Sequence, residues 1–257
     1  MIDASPAKHV SDSHAAVDCD LPVATSDVTV VIPQYNGCEL TLRCVESLLQ
    51  WHPCTVDVLV IDDGSKASEQ NATRTQLADA ARLICRPHGG VTAAWNHAVS
   101  QASARWLIFL NNDTVTVGPW IESLLTPLRT SAARMTGVAW RRESHLPTNI
   151  CSSMNDKFVV GWCFAVERQT LIEIGGFDPS LSVYFSDTDL QMRLQQTPDS
   201  LLCVEGLPLL HTGHQTAHRL SNCRQLWRLD HQRFVRKWSR AGTCADQLSA
   251  SDLSHTK

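Results

Sequence analysis

The sequence predicts an open, mostly parallel α/β sheet flanked by helices. Three observations carry that prediction. Apolar runs alternate with helical stretches from Val28 to Thr130, the pattern of successive strand–helix units. The runs are apolar throughout rather than every second residue, as strands covered on both faces require. Two of them, "VLVIDDGS" and "WLIFLNND", end in carboxylates, and ligands of such sheets bind outside the carboxyl ends of the strands. A chain of 257 residues that is 43% hydrophobic has material for one large core.

In order along the chain, "VTVVIPQYN" (Val28 to Asn36) reads as a buried strand leaving into a loop at Pro33, Gln34 and Asn36. "ELTLRCVESLLQW" puts Leu42, Val45 and Leu49 on one helical face, and Pro53 stops it. "VDVLVIDDGS" (Val56 to Ser65) is a second strand, followed by a helix around Ala72 to Ala81 and a short third strand, "RLICR". "HGGVTAAWNHAVSQA" is a glycine-led helix, "RWLIFLNND" a fourth strand and "PWIESLLTPLR" a further helix. Beyond Thr130, "KFVVGWCFAVERQTLIEIGGF" predicts a strand and a helix closed by Gly175-Gly176. "FSDTDLQMRLQQ" predicts a helix with Ser186 or Asp187 as N-cap. "LLCVEGLPLLHTGHQTAH" reads as short strands running into a histidine-rich loop. Leu226, Leu229, Phe234 and Trp238 lie at roughly helical spacing.

Composition narrows the function. The formal charge, 22 − 26 = −4, gives no signal for nucleic acid or an anionic membrane. The basic residues from Arg224 to Arg240 read first as a solvated helix face and second as a phosphate-facing patch. No apolar run is long enough to span a bilayer, so any membrane contact is expected to be peripheral. Residues 1–27 lack the pattern of a signal peptide and read as a flexible arm, and the tail from 241 to 257 as disordered. The ten cysteines contain no Cys-x-x-Cys pair, so the expectation is reduced thiols in a cytoplasmic protein rather than zinc sites or a disulfide framework.

The edge rule gathers Pro33, Asp62, Asp63, Asn112 and Asp113 along one side of the sheet. For "NNDT" (Asn111 to Thr114) two readings stand: a turn, since Asn, Asp and Thr bond their own backbone, or a metal and phosphate site. Asp62 is equally open between a turn-bonding carboxylate and a ligand-facing one.

The ordered series "VVIPQYN", "VLVIDDGS", "HGGVTAAWN", "WLIFLNNDT", "GWCFAVERQTLIEIGGFD", "YFSDTDLQMRL" and "HTG" resembles the family 2 inverting glycosyltransferases, in particular their rhamnosyltransferase-like members. The resemblance implies a GT-A fold over residues 28–240, with a nucleotide-sugar-binding half (28–130) and a smaller acceptor and catalytic half (131–240). It implies a UDP- or dTDP-sugar donor, a hydroxyl-bearing acceptor, and Mn²⁺ or Mg²⁺ to neutralise the leaving diphosphate. On the donor side it assigns Pro33, Tyr35 and Asn36 to the base pocket, Asp63 to the pyrimidine N3–H, Gly90 to close backbone approach, Asn112 to the ribose and Asp113 to the metal. Asn96 is open between a donor contact and a bond to backbone. The chain departs from the family at His88, where an Asn is usual, and at Asn112, where the usual acidic pair loses one carboxylate.

On the acceptor side Asp187 matches the general base, which takes the acceptor proton as its oxygen attacks the anomeric carbon. Ser186 stands where the family usually has Glu. Asp189 reads as a carboxylate supporting the base or, preferably, as an ordinary first-turn helix charge, and Arg193 matches a family position that pairs with the acidic helix start, a structural role. Gly161 and Trp162 would floor the sugar and acceptor pocket, with Trp162 equally readable as core. His211, in "HTG", matches a residue that closes on metal or diphosphate; His214 and His218 are expected to line the donor site or lie on the surface. Two alternatives are weighed against this. A nucleotidylyltransferase would want a cationic loop after the first strand, and "PQYNGCE" has none. A non-catalytic nucleotide-sugar or glycan-binding module is compatible with the replacements Asn112 and Ser186.

Overall fold

The computed structural model of the chain describes residues 26–53, 55–146, 157–195, 200–213 and 222–251, the last twelve of these by backbone alone. Cys19, Cys54, Cys151, His214 and His218 lie outside the described residues, as does most of the expected N-terminal arm.

The strands are β1 (Val28–Gln34), β2 (Asp57–Asp63), β3 (Arg82–Arg86), β4 (Trp106–Leu110), β5 (Thr114–Thr116), β6 (Met135–Gly137), β7 (Trp140–Arg142), β8 (Lys157–Val159), β9 (Cys163–Glu167), β10 (Leu201–Cys203) and β11 (Leu209–His211). The helices are α1 (Cys38–Trp51), α2 (Ala67–Leu77), α3 (Val91–Gln101), α4 (Ile121–Arg129), α5 (Arg168–Glu173), α6 (Ser186–Leu194) and α7 (Cys223–Ser251). Seven strands form the central sheet in the order β10-β6-β9-β4-β1-β2-β3, with β9 antiparallel to both its neighbours and the other neighbouring strands parallel. The chain leaves β1 toward β2 on one side and returns through β4 on the other, so a crevice opens between their carboxyl ends.

Strand alternation sorts the core into two layers. Val28, Val30 and Ile32 of β1 and Trp106, Ile108 and Leu110 of β4 pack with Leu48, Leu124 and Leu125 of α1 and α4. Val31, Leu107 and Phe109 face the other way, onto Trp95 and Ala98 of α3 and Phe177. A third cluster, of Phe158, Phe185, Met192, Phe234 and Trp238, seats α7.

The expected strands β1 to β4 and helices α1, α3 and α4 are present. Helix α2 lies earlier than the sequence predicts: it begins at Ala67, because Gln70 and Thr73 bond inward to Asp62 and Gln34, and it ends where Ala78 turns left-handed at φ 45°. The N-cap of α6 is neither Ser186 nor Asp187 but Phe185, in the left-handed region at φ 64°. Leu229 is turned outward, and Trp227 packs in its stead against the third cluster. The unstructured tail expected from 241 begins instead as a continuation of α7 to Ser251. No helix among the described residues is long and apolar enough to cross a membrane.

Candidate active site

The turn after β4 distributes its residues in three directions. The N–H of Asn111 donates to the Trp162 carbonyl at 2.8 Å, and its own carbonyl accepts the Cys44 thiol at 3.7 Å. Burial, then the nearby Asp113 charge, push that thiol up to about 12. Asn112 is buried, and its amide donates to Thr41 Oγ1 of α1 at 3.0 Å. In this structure it anchors a helix. Asp113 instead meets β11. The β5–β11 ladder sets His211 opposite Thr114, and Thr212 bonds the Asp113 carbonyl through both its N–H (3.0 Å) and its hydroxyl (2.9 Å). His211 Nε2 thereby comes to 3.0 Å from Asp113 Oδ1, without the alignment of a hydrogen bond.

An imidazole nitrogen and a carboxylate oxygen facing each other in this way suit a shared cation. Among the described residues no three His, Cys, Asp or Glu side chains converge, so this pair is what they offer a cation. Zinc sites want three or four protein ligands. Mg²⁺ and Mn²⁺ take few and fill the remainder with water and substrate phosphate, so the pair fits them.

At the end of β2 the two carboxylates separate. Asp62 accepts from Gln34 Nε2 (2.8 Å), Gln70 Nε2 (2.8 Å) and the Ser65 N–H (2.9 Å), which is its turn-bonding reading. The carboxylate of Asp63, a residue 4% exposed, accepts the N–H groups of Gly89 (3.1 Å) and Gly90 (2.8 Å) and the Arg86 guanidinium, while His88 Nδ1 bonds the Asp63 carbonyl at 2.9 Å and lies 2.8 Å from Oδ2. Burial pushes the Asp63 carboxyl above the ordinary carboxylate range, and the two amides, Arg86 and His88 pull it part of the way back. As placed, both its oxygens are held by the β3–α3 loop. The carboxylate is thus a fastener of this loop, and a ring N–H would have to displace Arg86 or His88 to reach it. The sequence reading passed over Arg86, although the strand-end rule applied to "RLICR" puts it in register with Asp63.

Tyr35 stacks on His88 with ring centroids 4.5 Å apart, while Asn36 ties the loops after β1 and β2 by accepting from the Lys66 N–H and donating its own N–H to Ser65 Oγ. Pro33 lies within β1, partnered with Ile61. Asn96 spends both ends of its amide on the Phe177 backbone at 2.9 Å, its second reading, and is a brace rather than a donor contact. Gly90, at φ +89°, brings the α3 N-terminus so close to residue 182 that a Cβ would sit 2.2 Å from the Ser182 carbonyl oxygen.

The surroundings of Asp187 and His211 are assembled by Gly161 and Trp162, between β8 and β9. A Cβ on Gly161 would lie 2.3 Å from Asp187 Oδ2, so the absence of a side chain is what admits the carboxylate. Trp162 lies flat on the His211 ring, at 4.6 Å and 8°. Arg141 of β7 donates to Asp187 Oδ2 at 2.8 Å and also holds Glu143 (2.7 Å) and Thr188 (2.7 Å). Burial would lower the Arg141 pKa, and the Asp187 and Glu143 carboxylates outweigh it, so the guanidinium stays above its ordinary value. Nothing in the sequence reading found Arg141, because β7 is a three-residue strand without a recognisable pattern. Ser186 meets the Thr92 hydroxyl in a short contact. Asp189 is not a surface helix charge. It is fully buried, bonded by Arg193 (2.9 Å), Trp238 Nε1 (3.0 Å) and Lys237 (2.7 Å).

The family model for glycosyl transferase family 2 matches residues 29–189, well over half of the chain. The chain belongs to glycosyl transferase family 2. Among relatives, the O-antigen biosynthesis protein RfbC of Myxococcus xanthus is 26% identical over 76% of this chain and 18% of its own length. The succinoglycan biosynthesis protein ExoO of Rhizobium meliloti is 33% identical over 34% of this chain and 25% of its own length. The chain thus spans a small part of the relatives it matches. Among solved structures, the mannosyltransferase PcManGT of Pyrobaculum calidifontis, in complex with GDP-Man and Mn²⁺, superposes with TM-score 0.55 at 14% identity, covering 91% of this chain and 78% of that one. Glucosyl-3-phosphoglycerate synthase of Mycobacterium tuberculosis, in complex with Mn²⁺, UDP and glucosyl-3-phosphoglycerate, gives 0.57 at 16% identity, covering 80% and 79%. The GT-A fold expected from the motifs is the fold of this family 2 chain.

Proposed function

We propose that this family 2 domain transfers a sugar from a UDP- or dTDP-sugar to an acceptor hydroxyl, with inversion at the anomeric carbon. One observation carries the reading: the adjacent residues Gly161 and Trp162 touch Asp187 and His211 respectively. The proposed base and the proposed metal pair therefore flank one dipeptide, as a reaction centre between an acceptor and a leaving diphosphate requires.

Asp187 takes the acceptor hydroxyl proton while the acceptor oxygen bonds to the anomeric carbon. The bond from that carbon to the diphosphate oxygen breaks, and its electron pair leaves with the nucleoside diphosphate. Arg141 holds Oδ2 of the base, and Oδ1 is the oxygen left for the acceptor proton. Asp113 and His211 would hold Mn²⁺ or Mg²⁺, which supplies charge neutralisation to the leaving group. Trp162 supports His211 from below. Solved relatives of the same fold carry Mn²⁺ with either GDP-Man or UDP, which supports the cation and leaves the nucleobase to this chain's own loops. Tyr35, His88, Arg86 and the Asp63-clamped loop are the groups we assign to the base end. The free thiols of the buried Cys44 and Cys163 support a reducing, cytoplasmic setting.

A second reading, a nucleotide-sugar-binding module without turnover, is favoured by the Arg141–Asp187 ion pair, which occupies one oxygen of the base. Calorimetric titration with UDP, dTDP, GDP and CDP, with and without Mn²⁺, tests the site. Binding of UDP or dTDP that requires Mn²⁺ and weakens by roughly 10²-fold in Asp113→Ala is expected for a diphosphate–metal pair. Equal binding without metal, or in Asp113→Ala, removes the metal assignment. Release of nucleoside diphosphate from a panel of UDP- and dTDP-sugars separates enzyme from binder.

A further inference from the structure

The residues matched by the family model stop at Asp189, yet α7, from Cys223 onward, holds the segment around Asp187 at three points. Its Asp230, 0% exposed, accepts three consecutive backbone N–H groups, those of Ser182 (3.1 Å), Val183 (2.9 Å) and Tyr184 (3.0 Å), and the Ser182 hydroxyl (3.0 Å). Arg233, at 3.4 Å, is the cation beside it. A buried carboxylate that gathers this many donors fixes the path of the chain it binds, since charge-assisted bonds in a water-free setting are strong and directional.

The other two points flank the proposed base at equal distance. Two residues before Asp187, the left-handed Phe185 has its ring stacked on Phe234 (5.0 Å) and close to Trp227 (5.8 Å). A left-handed non-glycine backbone persists only where its surroundings over-determine it. Two residues after Asp187, the buried Asp189 takes Lys237 at 2.7 Å and Trp238 Nε1 at 3.0 Å. From the opposite side the same segment meets the α3 N-terminus, where Thr92 N–H donates to the Ser182 carbonyl at 3.2 Å and the Thr92 hydroxyl meets Ser186. Residues 182–189 are thus clamped between the donor-side loop and α7.

We propose that Asp230 is a positioning residue for transfer: through the 182–184 backbone it sets where Asp187 stands against Gly161, so that α7 is part of the catalytic apparatus. This rests on Asp187 as the base. Asn at position 230 keeps the shape but exchanges one acceptor oxygen for a donor that faces other donors.

The test compares Asp230→Asn and Asp187→Asn with the wild-type chain in three readouts: UDP affinity with Mn²⁺, steady-state release of nucleoside diphosphate from the UDP- or dTDP-sugar the wild type turns over, and hydrogen–deuterium exchange across residues 178–190. Asp230→Asn is expected to lower kcat by at least ~10-fold, since small displacements of a reacting group cost that much. UDP affinity should stay within about twofold, and exchange should rise in 178–190 alone. Where Asp230→Asn does not fold, Trp238→Phe carries the test of the α7 clamp: it removes the N–H bonded to Asp189 together with part of the buried indole, and kcat is expected to fall by several-fold with UDP affinity unchanged. Faster exchange with unchanged kcat overturns the proposal, as does a kcat loss that follows UDP affinity down. An active Asp187→Asn, or a wild type that turns over no donor, overturns it together with the base assignment. An inactive Asp187→Asn beside a fully active, folded Asp230→Asn overturns the positioning role alone.

Discussion

Asp63 and Asp187 both face an arginine, Arg86 and Arg141, yet the two halves of the domain hold them differently. Asp63 is closed in by its own neighbourhood: the partner strand supplies Arg86, and the next loop supplies His88, Gly89 and Gly90. Asp187 is reached from far along the chain, by Arg141 across the fold, by Gly161 pressed against it, and by α7 through its flanking residues. Asp63 is a fastener that shapes a loop. Asp187 is held by Arg141 through Oδ2 alone and is placed by residues from elsewhere in the chain. A buried group surrounded by donors is organised for structure, whereas a proton acceptor must leave a lone pair for its substrate.

Substitutions break this contrast in order of size. Asp187→Asn is expected to reduce donor turnover by on the order of 10²- to 10⁴-fold, the usual contribution of a positioned base, with Mn²⁺-dependent UDP binding retained. Turnover near wild type would remove Asp187 from the reaction. Gly161→Ala follows. Its Cβ would fall 2.3 Å from Asp187 Oδ2, so we expect roughly 10²-fold lower kcat in a chain that still folds and still binds UDP. If kcat holds, the base is free to shift and the Gly161 contact is not what places it.

Gly90→Ala probes the other half and should act on stability. At φ +89°, with a Cβ that would meet backbone at 2.2 Å, the substitution is expected to cost about 2 kcal/mol or more, read as a fall of several degrees in Tm. An unchanged Tm would mean that the donor-side loop adapts.

The smallest effect concerns α7. Burial would raise the Asp178 carboxyl, but bonds from Lys237 and Ser180 overcome this and hold it at about 2, below its ordinary 3.8. A carboxyl with a depressed folded-state pKa adds stability above its unfolded value and loses it as the pH falls toward the folded value. Urea unfolding of wild type and Lys237→Met should therefore differ at pH 5 and converge between pH about 4 and 2. A constant gap would assign the Lys237 contribution to a contact that does not titrate, such as its place over the Trp238 ring.

Much of the fold is written locally. Each of β1, β2 and β4 is a continuous apolar run, so its burial follows from its own residues, and strand-end logic then brings Asp63 and Asp113 to one edge without knowledge of the tertiary structure. The family motifs likewise single out Gly161, Trp162, Asp187 and His211, which the fold joins. What those side chains do once there is a different matter. The Asn111–Asp113 turn offered two readings, and the residues divide between different partners: Asn112 bonds α1, while Asp113 faces His211. Asp189 carries the same charge in a helix's first turn whether it is exposed or buried, and only the arrival of α7 made it a buried hub.

By itself, then, the sequence determined the long central strands β1, β2 and β4 and which carboxylates stand at their carboxyl ends, because those follow from short-range periodicity and strand ends. The tertiary structure alone decided that Asp63 is clamped, that Asn112 and Asn96 are braces, and that Arg141 and Asp230 hold the segment carrying Asp187. Each of those roles depends on a partner dozens of residues away, and a hydrogen bond across that separation leaves no periodic trace in the chain.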